Sequence, residues 1–140
     1  ARDLFETMHV LMEPTLIQKN IEMDIMLTDT DLALEVDTNL IEQVLINLVV
    51  NAIDAVKERS EPMITLSAYT SNGRATLKVS DNGMGMSPEI MDNIFIPFFS
   101  TKKTGSGIGL SLCKKIMLLH KGNIQVQSIE GVGSSFLLHF

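Results

Sequence analysis

At 140 residues the chain is long enough for one domain with a sizeable core and too short for two. Apolar residues make up 45% and charged residues 20%, an ordinary globular composition. Eleven basic against seventeen acidic residues leave a net charge of −6, which excludes nucleic-acid binding by bulk electrostatics but not a phosphate or a metal held by local groups.

In chain order, residues 2–19 space Leu4, Met8, Leu11 and Met12 along a helical face, with Leu16 beyond Pro14. Residues 21–27 put Ile21, Met23, Ile25 and Leu27 on one side at strand period. The polar run 28–31 reads as a turn and 32–36 as a second strand, so the two are expected to form a hairpin. A long helix is predicted from Asn39 to Glu58, with Asp37, Thr38 and Asn39 as cap candidates and Glu42 three residues after Asn39. Segments 63–69 and 74–80 alternate on either side of Ser71-Asn72-Gly73, the strongest hairpin signal in the chain. Asp81-Asn82-Gly83-Met84-Gly85-Met86 is a glycine loop at a strand end. Ser87-Pro88-Glu89 opens a short helix, and 96–107 has no regular pattern. A helix over 108–120 stops at Gly122, and strands 123–128 and 132–139 close the chain. The expected fold is α/β, a two-layer sandwich. Its mixed, mostly antiparallel sheet has five or more strands, carries helices on one face and is built from hairpins rather than strand–helix–strand units.

The single Cys113 excludes an internal disulfide and lies in an apolar helical run, so it reads as an inert buried thiol. The methionines read mostly as core filler. No 18-residue apolar run, signal-peptide pattern or zinc-type Cys/His cluster is present, and the expectation is a soluble, cytoplasmic segment. The chain begins mid-pattern and stops inside an apolar strand pattern, which suggests a single domain, 1–140, of a longer protein.

The long helix holds the first functional signal. Gln43, Asn47, Asn51, Asp54 and Glu58 recur at steps of three and four, a narrow polar seam on an otherwise apolar helix. A solvated face is the plain alternative, but such faces are usually built from Lys, Glu and Arg, which are better helix formers. Amides supply a neutral oxygen that suits a magnesium ion otherwise held by phosphates and water. The loop 81–86 offers bare backbone beside a carboxylate, suited to a ligand amine and not to a phosphate; a tight turn is the alternative. Gly105, Gly107 and Gly109 open a helix behind Lys102 and Lys103, an anion-binding arrangement, against the alternative of a flexible loop with solvated lysines. GxxxxGK[ST] is absent, and GxGxxG fails at Pro88 and at Leu110, so neither a P-loop nor a dinucleotide fold is indicated.

Taken in order, the segments NLVVNAIDA, DNGMGM, FIPFFSTK and GSGIGLSL resemble the N, G1, F and G2 boxes of the ATP-binding catalytic domain of two-component sensor histidine kinases. That domain belongs to the Bergerat-fold ATPase group shared with gyrase, Hsp90 and the MutL mismatch-repair proteins. The resemblance spans essentially the whole chain and implies ATP and Mg²⁺ as cofactors. It implies a magnesium-ligand role for Asn51, a phosphate-lining role for Asn47 and a phosphate contact for Lys102, and these three form the catalytic set. Asp81 would accept from the adenine amino group, with Gly83, Gly85, Met86, Ile94 and Phe95 around the base. Gly105, Gly107 and Gly109 would cradle the phosphates and hinge a short lid (100–104) that moves without nucleotide, flanked by Thr101, Ser106, Ile108 and Leu110. Phe95, Pro97 and Phe98 form the F box that anchors this lid, and Asp54 and Lys57 are placed near ribose or phosphate.

The same resemblance implies transfer of the γ-phosphate to a histidine on a separate dimerisation domain, a response regulator downstream, and no nucleic-acid or direct membrane contact. Membrane anchoring of the parent protein stays open. His9, His120 and His139 do not fit the acceptor motif, so the acceptor is expected N-terminal to Ala1. His120 reads as structural, its charge suiting a helix C-terminus. In hydrolytic members the residue matching Asn47 is a glutamate that activates water; Asn has no basic form to take a proton. Three alternatives remain: an anti-sigma-type serine kinase, a hydrolytic ATPase, and an inactive interaction module that binds no nucleotide.

Overall fold

The computed structural model describes residues 1–28, 34, 36–99 and 108–140. Helix α1 (Arg2–Gln18) leads into strand β1 (Glu22–Leu27), and helix α2 (Thr38–Ala55) into the hairpin β2 (Met63–Ser71) and β3 (Arg74–Asp81). A one-turn helix α3 (Pro88–Met91), helix α4 (Gly109–Leu119) and the hairpin β4 (Asn123–Ile129) and β5 (Gly133–His139) follow. The sheet order is β1-β2-β3-β5-β4.

The hairpin strands form where the turn chemistry demands. Asn72 and Gly73 both take positive φ, 53° and 75°, and close β2 on β3 with Ser71 opposite Arg74. The expected hairpin between 21–27 and 32–36 is not what β1 uses. β1 pairs in parallel with β2, from Glu22 opposite Met63 to Leu27 opposite Ala68. Most of 32–36 lies outside the described residues, and Leu34 and Val36 are not in a strand. The reason lies in burial. A strand parallel to its neighbour needs a crossover, and α2 is that crossover, covering the apolar side that Met23 and Ile25 share with Ile64 and Leu66. The fold therefore contains one strand–helix–strand unit, contrary to the all-hairpin expectation.

α2 is the central packing element. Asp37 caps it, its carboxylate accepting from the Leu40 amide at 3.2 Å. Ile41, Val44, Leu45, Leu48, Val49, Ala52 and Ile53 are buried, packed on Leu66 and Ala68 of β2, Leu77 and Val79 of β3 and Leu138 of β5 in one core. α1 contributes Phe5 and Met8 to that core, and α4 contributes Cys113, Ile116 and Met117. Burial pushes the Cys113 thiol up to about 12, so it stays a neutral apolar filler. None of the described helices is long and apolar enough to cross a membrane.

The helix ends at Ala55, three residues before the expected Glu58. The cause is a competing donor. The Ala55 carbonyl, which would take the Arg59 amide in a continuing helix, accepts instead from Met84 of the glycine loop at 3.2 Å, while the Arg59 amide turns back to Val56 at 2.9 Å. At the far end of α4, His120 joins this helix to the start of α2. Its Nε2 accepts from the Asp37 amide at 3.0 Å and its Nδ1 lies 2.9 Å from the Ile116 carbonyl. His120 is structural as expected, tying the end of α4 to the start of α2 through its two ring nitrogens.

Because Leu48 is fully buried at the centre of α2, Leu48→Ala should lower the unfolding free energy by about 2–5 kcal/mol. Chemical denaturation at unchanged m-value would check this; a loss below about 1 kcal/mol would mean that α2 is not the packing centre.

Candidate functional site

The polar seam lies where the periodicity places it. Gln43 is exposed and Asn47, Asn51 and Asp54 are half-buried, with the buried row Val44, Leu48 and Ala52 on one side and the partly buried Ile46 and exposed Val50 on the other. Asn47 is oriented by its own helix: its Nδ2 donates to the Gln43 carbonyl at 3.0 Å, so Oδ1 is the free-facing acceptor. Oδ1 faces the start of α4. A Cβ added to Gly109 would stand 2.9 Å from it, so the bare glycine leaves space that any other residue would fill. Asp54 pairs with Lys57 at 3.6 Å, both partly exposed.

The glycine loop forms the other end of the site. Asp81 ends β3, opposite Ser134 of β5. Its carboxylate accepts from the Gly83 amide at 2.8 Å and from the Ser134 backbone. Desolvation by burial raises its pKa above the ordinary value of 3.8, and the two backbone hydrogen bonds offset part of the rise. Asn82 has a structural task, accepting from the Met63 amide at 2.9 Å and donating to the Glu61 carbonyl at 2.8 Å. Gly83 is pressed on α2, where a Cβ would lie 2.4 Å from the Ala55 oxygen. Gly85, at φ 69°, is pressed on the β4–β5 hairpin, where a Cβ would lie 2.1 Å from the Ile129 oxygen. Met86 is half-buried, and its amide donates to Ser128 Oγ at 2.8 Å.

Beyond α3, Ile94 is buried at 6% exposure within the core, and Phe95 and Phe99 pack against the core. Lys114 of α4 lies over the Phe95 ring at 5.9 Å. Phe98 takes φ 69° and is 80% exposed, and Pro97 is exposed too. Ile108 is exposed and Leu110 packs partly against the core. Thr101, Lys102, Gly105, Ser106, Gly107 and the lid 100–104 lie outside the described residues. The structure thus sets Asn47, at the middle of α2, against Gly109 at the start of α4, and Gly83, with Asp81 and Gly85 of its loop, against the C-terminal end of α2, with Asn51 on the helical turn between.

Three contributors escaped the sequence reading. Ser134 backs Asp81, Ser128 holds the loop's last amide, and Arg59 donates from Nη2 to the carbonyls of Gly83 at 2.8 Å and Gly131 at 2.6 Å. The serines lie in strands with no marking motif. The bare backbone at Gly131 and Gly133 was the one available signal that the last hairpin lies close to something.

The residues present suit a nucleotide with a divalent cation. A half-buried carboxylate ringed by bare backbone can take a ligand amine, and an oriented neutral oxygen faces the start of a helix. Among the described residues no cluster of His, Cys, Asp and Glu could hold a metal alone, so any cation here would need ligand oxygens.

The family described as histidine kinase-, DNA gyrase B- and HSP90-like ATPase matches residues 36–140. The signal transduction histidine-protein kinase AtoS of Escherichia coli K12 is 33% identical over 135 residues, 96% of this chain and 22% of AtoS. The chain therefore spans about a fifth of that relative's length. The nucleotide-free catalytic domain of the histidine kinase ThkA superposes with a TM-score of 0.89 at 33% identity, covering 100% of this chain and 91% of that one. ThkA in complex with the response regulator protein TrrA gives 0.85 at 31% identity, covering 100% and 40%.

Two consequences can be measured on the free chain. Gly83→Ala forces a methyl against buried backbone and should cost about 1–3 kcal/mol. Gly109→Ala meets only the end of the Asn47 side chain, and the gain in helix propensity of up to ~1 kcal/mol should leave stability unchanged or higher. Equal losses in thermal melts would refute this asymmetry. For Asp81 the folded pKa stands above the unfolded one, so its contribution is present below the unfolded value and lost as pH rises through the folded value. Asp81→Asn should therefore be at least as stable as wild type at neutral pH, with the difference narrowing in acid. A mutant that melts lower at neutral pH would show that Asp81 is held for stability.

Proposed function

The chain belongs to the histidine kinase-, DNA gyrase B- and HSP90-like ATPase family, and from this we propose that it binds Mg-ATP and presents the γ-phosphate for transfer to a histidine on a separate dimerisation domain, in two-component signalling. The observation that carries the proposal is what α2 presents along its length. Its middle turns an oriented amide oxygen toward the start of α4, and its C-terminal end backs a glycine loop around a half-buried carboxylate. That is a site for a ligand with an amine at one end and anionic oxygens at the other.

In this reading Asp81 accepts from the adenine amino group, and Gly83 and Gly85 let the base lie against backbone. Met86, Ile94 and Phe95 belong to the same end. Asn51, with Asn47 beside it, is the magnesium ligand, and the ion when bound neutralises phosphate charge. Lys102, with Thr101, Gly105, Ser106, Gly107, Ile108, Gly109 and Leu110, completes the phosphate end, and Asp54 and Lys57 lie between. Asn47, the α2 side chain that faces the start of α4, has no basic form and cannot take a proton from water. The chain's own residues therefore bind, orient and stabilise charge, which is what phosphoryl transfer asks of a protein. The acceptor histidine, the response regulator and a cytoplasmic location belong to the whole protein, of which 1–140 is the ATP-binding catalytic domain.

Calorimetric titration with a non-hydrolysable ATP analogue tests the reading. Wild type should bind with an affinity that rises with magnesium. Asn51→Ala should lose the magnesium increment, and Asp81→Asn should bind about ten- to a hundredfold more weakly, the cost of one mispaired buried hydrogen bond. Because the Asp81 pKa is raised, affinity should fall on acidification at a pH above the ordinary aspartate range, and that limb should be missing in Asp81→Asn. A folded wild-type chain that binds no nucleotide would leave the fold standing and replace the kinase reading with an interaction module.

A further inference from the structure

Arg59 stands just past the end of α2, exposed, in a segment that none of the boxes includes. Its guanidinium nonetheless has a defined task. Nη2 carries two protons, and these go to two carbonyls on different loops, Gly83 at 2.8 Å and Gly131 at 2.6 Å. Both are short, as charge-assisted bonds are. The same two loops meet again where the Gly131 amide donates to the Met84 carbonyl at 2.7 Å. The loop 82–86 is thus held from outside along its length: Met63 and Glu61 at Asn82, Arg59 at Gly83, Ala55 and Gly131 at Met84, and Ser128 at Met86. The Arg59 side chain joins the segment after α2 to both the glycine loop and the β4–β5 turn.

We propose that Arg59 is a positioning residue for the base end of the nucleotide site, bracing the backbone of 82–86 so that Asp81 and the bare glycine face keep the spacing that an adenine ring requires. This rests on the ATP reading above. Asp81 is tied to the same unit, because its carboxylate accepts from the Gly83 amide while Arg59 takes the Gly83 carbonyl. Releasing the carbonyl frees the peptide whose neighbour orients the carboxylate. Both bonds leave one nitrogen, whose two protons the guanidinium plane holds in fixed directions, whereas a lysine ammonium turns freely on a flexible stem, so Arg59→Lys should restore only part of the effect. The phosphate end is centred on Asn47, at the middle of α2 and facing the start of α4, a different set of partners from the two carbonyls that Arg59 holds.

The test compares a non-hydrolysable ATP analogue, the matching GTP analogue and adenosine, with and without magnesium, on the full chain and on Arg59→Ala and Arg59→Lys. Arg59→Ala should weaken the ATP analogue and adenosine alike by about tenfold, the size of one charge-assisted hydrogen bond. It should narrow the preference for the ATP over the GTP analogue and leave the magnesium increment unchanged; Arg59→Lys should fall between. A general loss of stability would not move the ATP-to-GTP ratio in the folded fraction. If Arg59→Ala does not fold, Arg59→Lys alone decides, through that ratio. Binding and discrimination equal to wild type in the folded variants would overturn the inference and leave the ATP reading intact. A wild-type chain that binds none of the three ligands would remove both.

Discussion

The Ala55 carbonyl is one atom with two possible donors, and its choice shapes the site. By taking the Met84 amide in place of the Arg59 amide, it ends α2, pulls the glycine loop against the helix, and turns the next residues outward so that the Arg59 side chain can reach across the loop. Gly83 is required because the approach leaves no space for a Cβ. Phosphate end and base end are thereby referred to one rigid rod, and their separation is set by helix geometry rather than by loops.

Such a rod has to be stable despite its amides. An asparagine in a helix interior costs up to ~0.7 kcal/mol. Each fully buried leucine or isoleucine on the same helix returns about 1.5–3 kcal/mol, and Ile41, Leu45 and Leu48 are wholly buried. The seam can therefore be polar because the rest of the girth is not. The amide at 47 is neutral but not free to rotate: Gln43 holds its nitrogen, so the oxygen direction is decided before any ligand arrives. At the base end the same preparation appears as cost, since the Asp81 carboxylate is kept partly desolvated against only two backbone donors.

Elements with local causes were legible in the sequence. The Ser71-Asn72-Gly73 turn and the seam from Gln43 to Asp54 follow from short-range rules and appear where those rules put them, whereas the cap was narrowed only to three residues, of which Asp37 fills the position, and Glu58 falls beyond the helix. The clustering of Asp81, Gly83 and Gly85 was also legible, since bare backbone beside a carboxylate has few structural uses. What the sequence hid is tertiary. Nothing in residues 21–27 distinguishes an antiparallel partner from a parallel one. The competition for the Ala55 carbonyl involves a donor far along the chain, so periodicity carried the helix too far. Arg59 sits in a charged run that reads as solvent-facing until the carbonyls it meets are known.

The parallel pairing of β1 with β2 has a consequence for how the chain reaches this arrangement. The two hairpins close over short turns, but Glu22 finds Met63 only across the whole of α2. The entropy of closing that loop has to be met before the pairing returns anything, and non-local pairings of this kind slow folding. The two hairpins themselves meet only through β3 and β5, from Thr76 opposite His139 to Asp81 opposite Ser134, over a still longer stretch of chain. The sheet is therefore completed by two non-local closures, one on each side of the β2–β3 hairpin, and neither follows from local contacts alone.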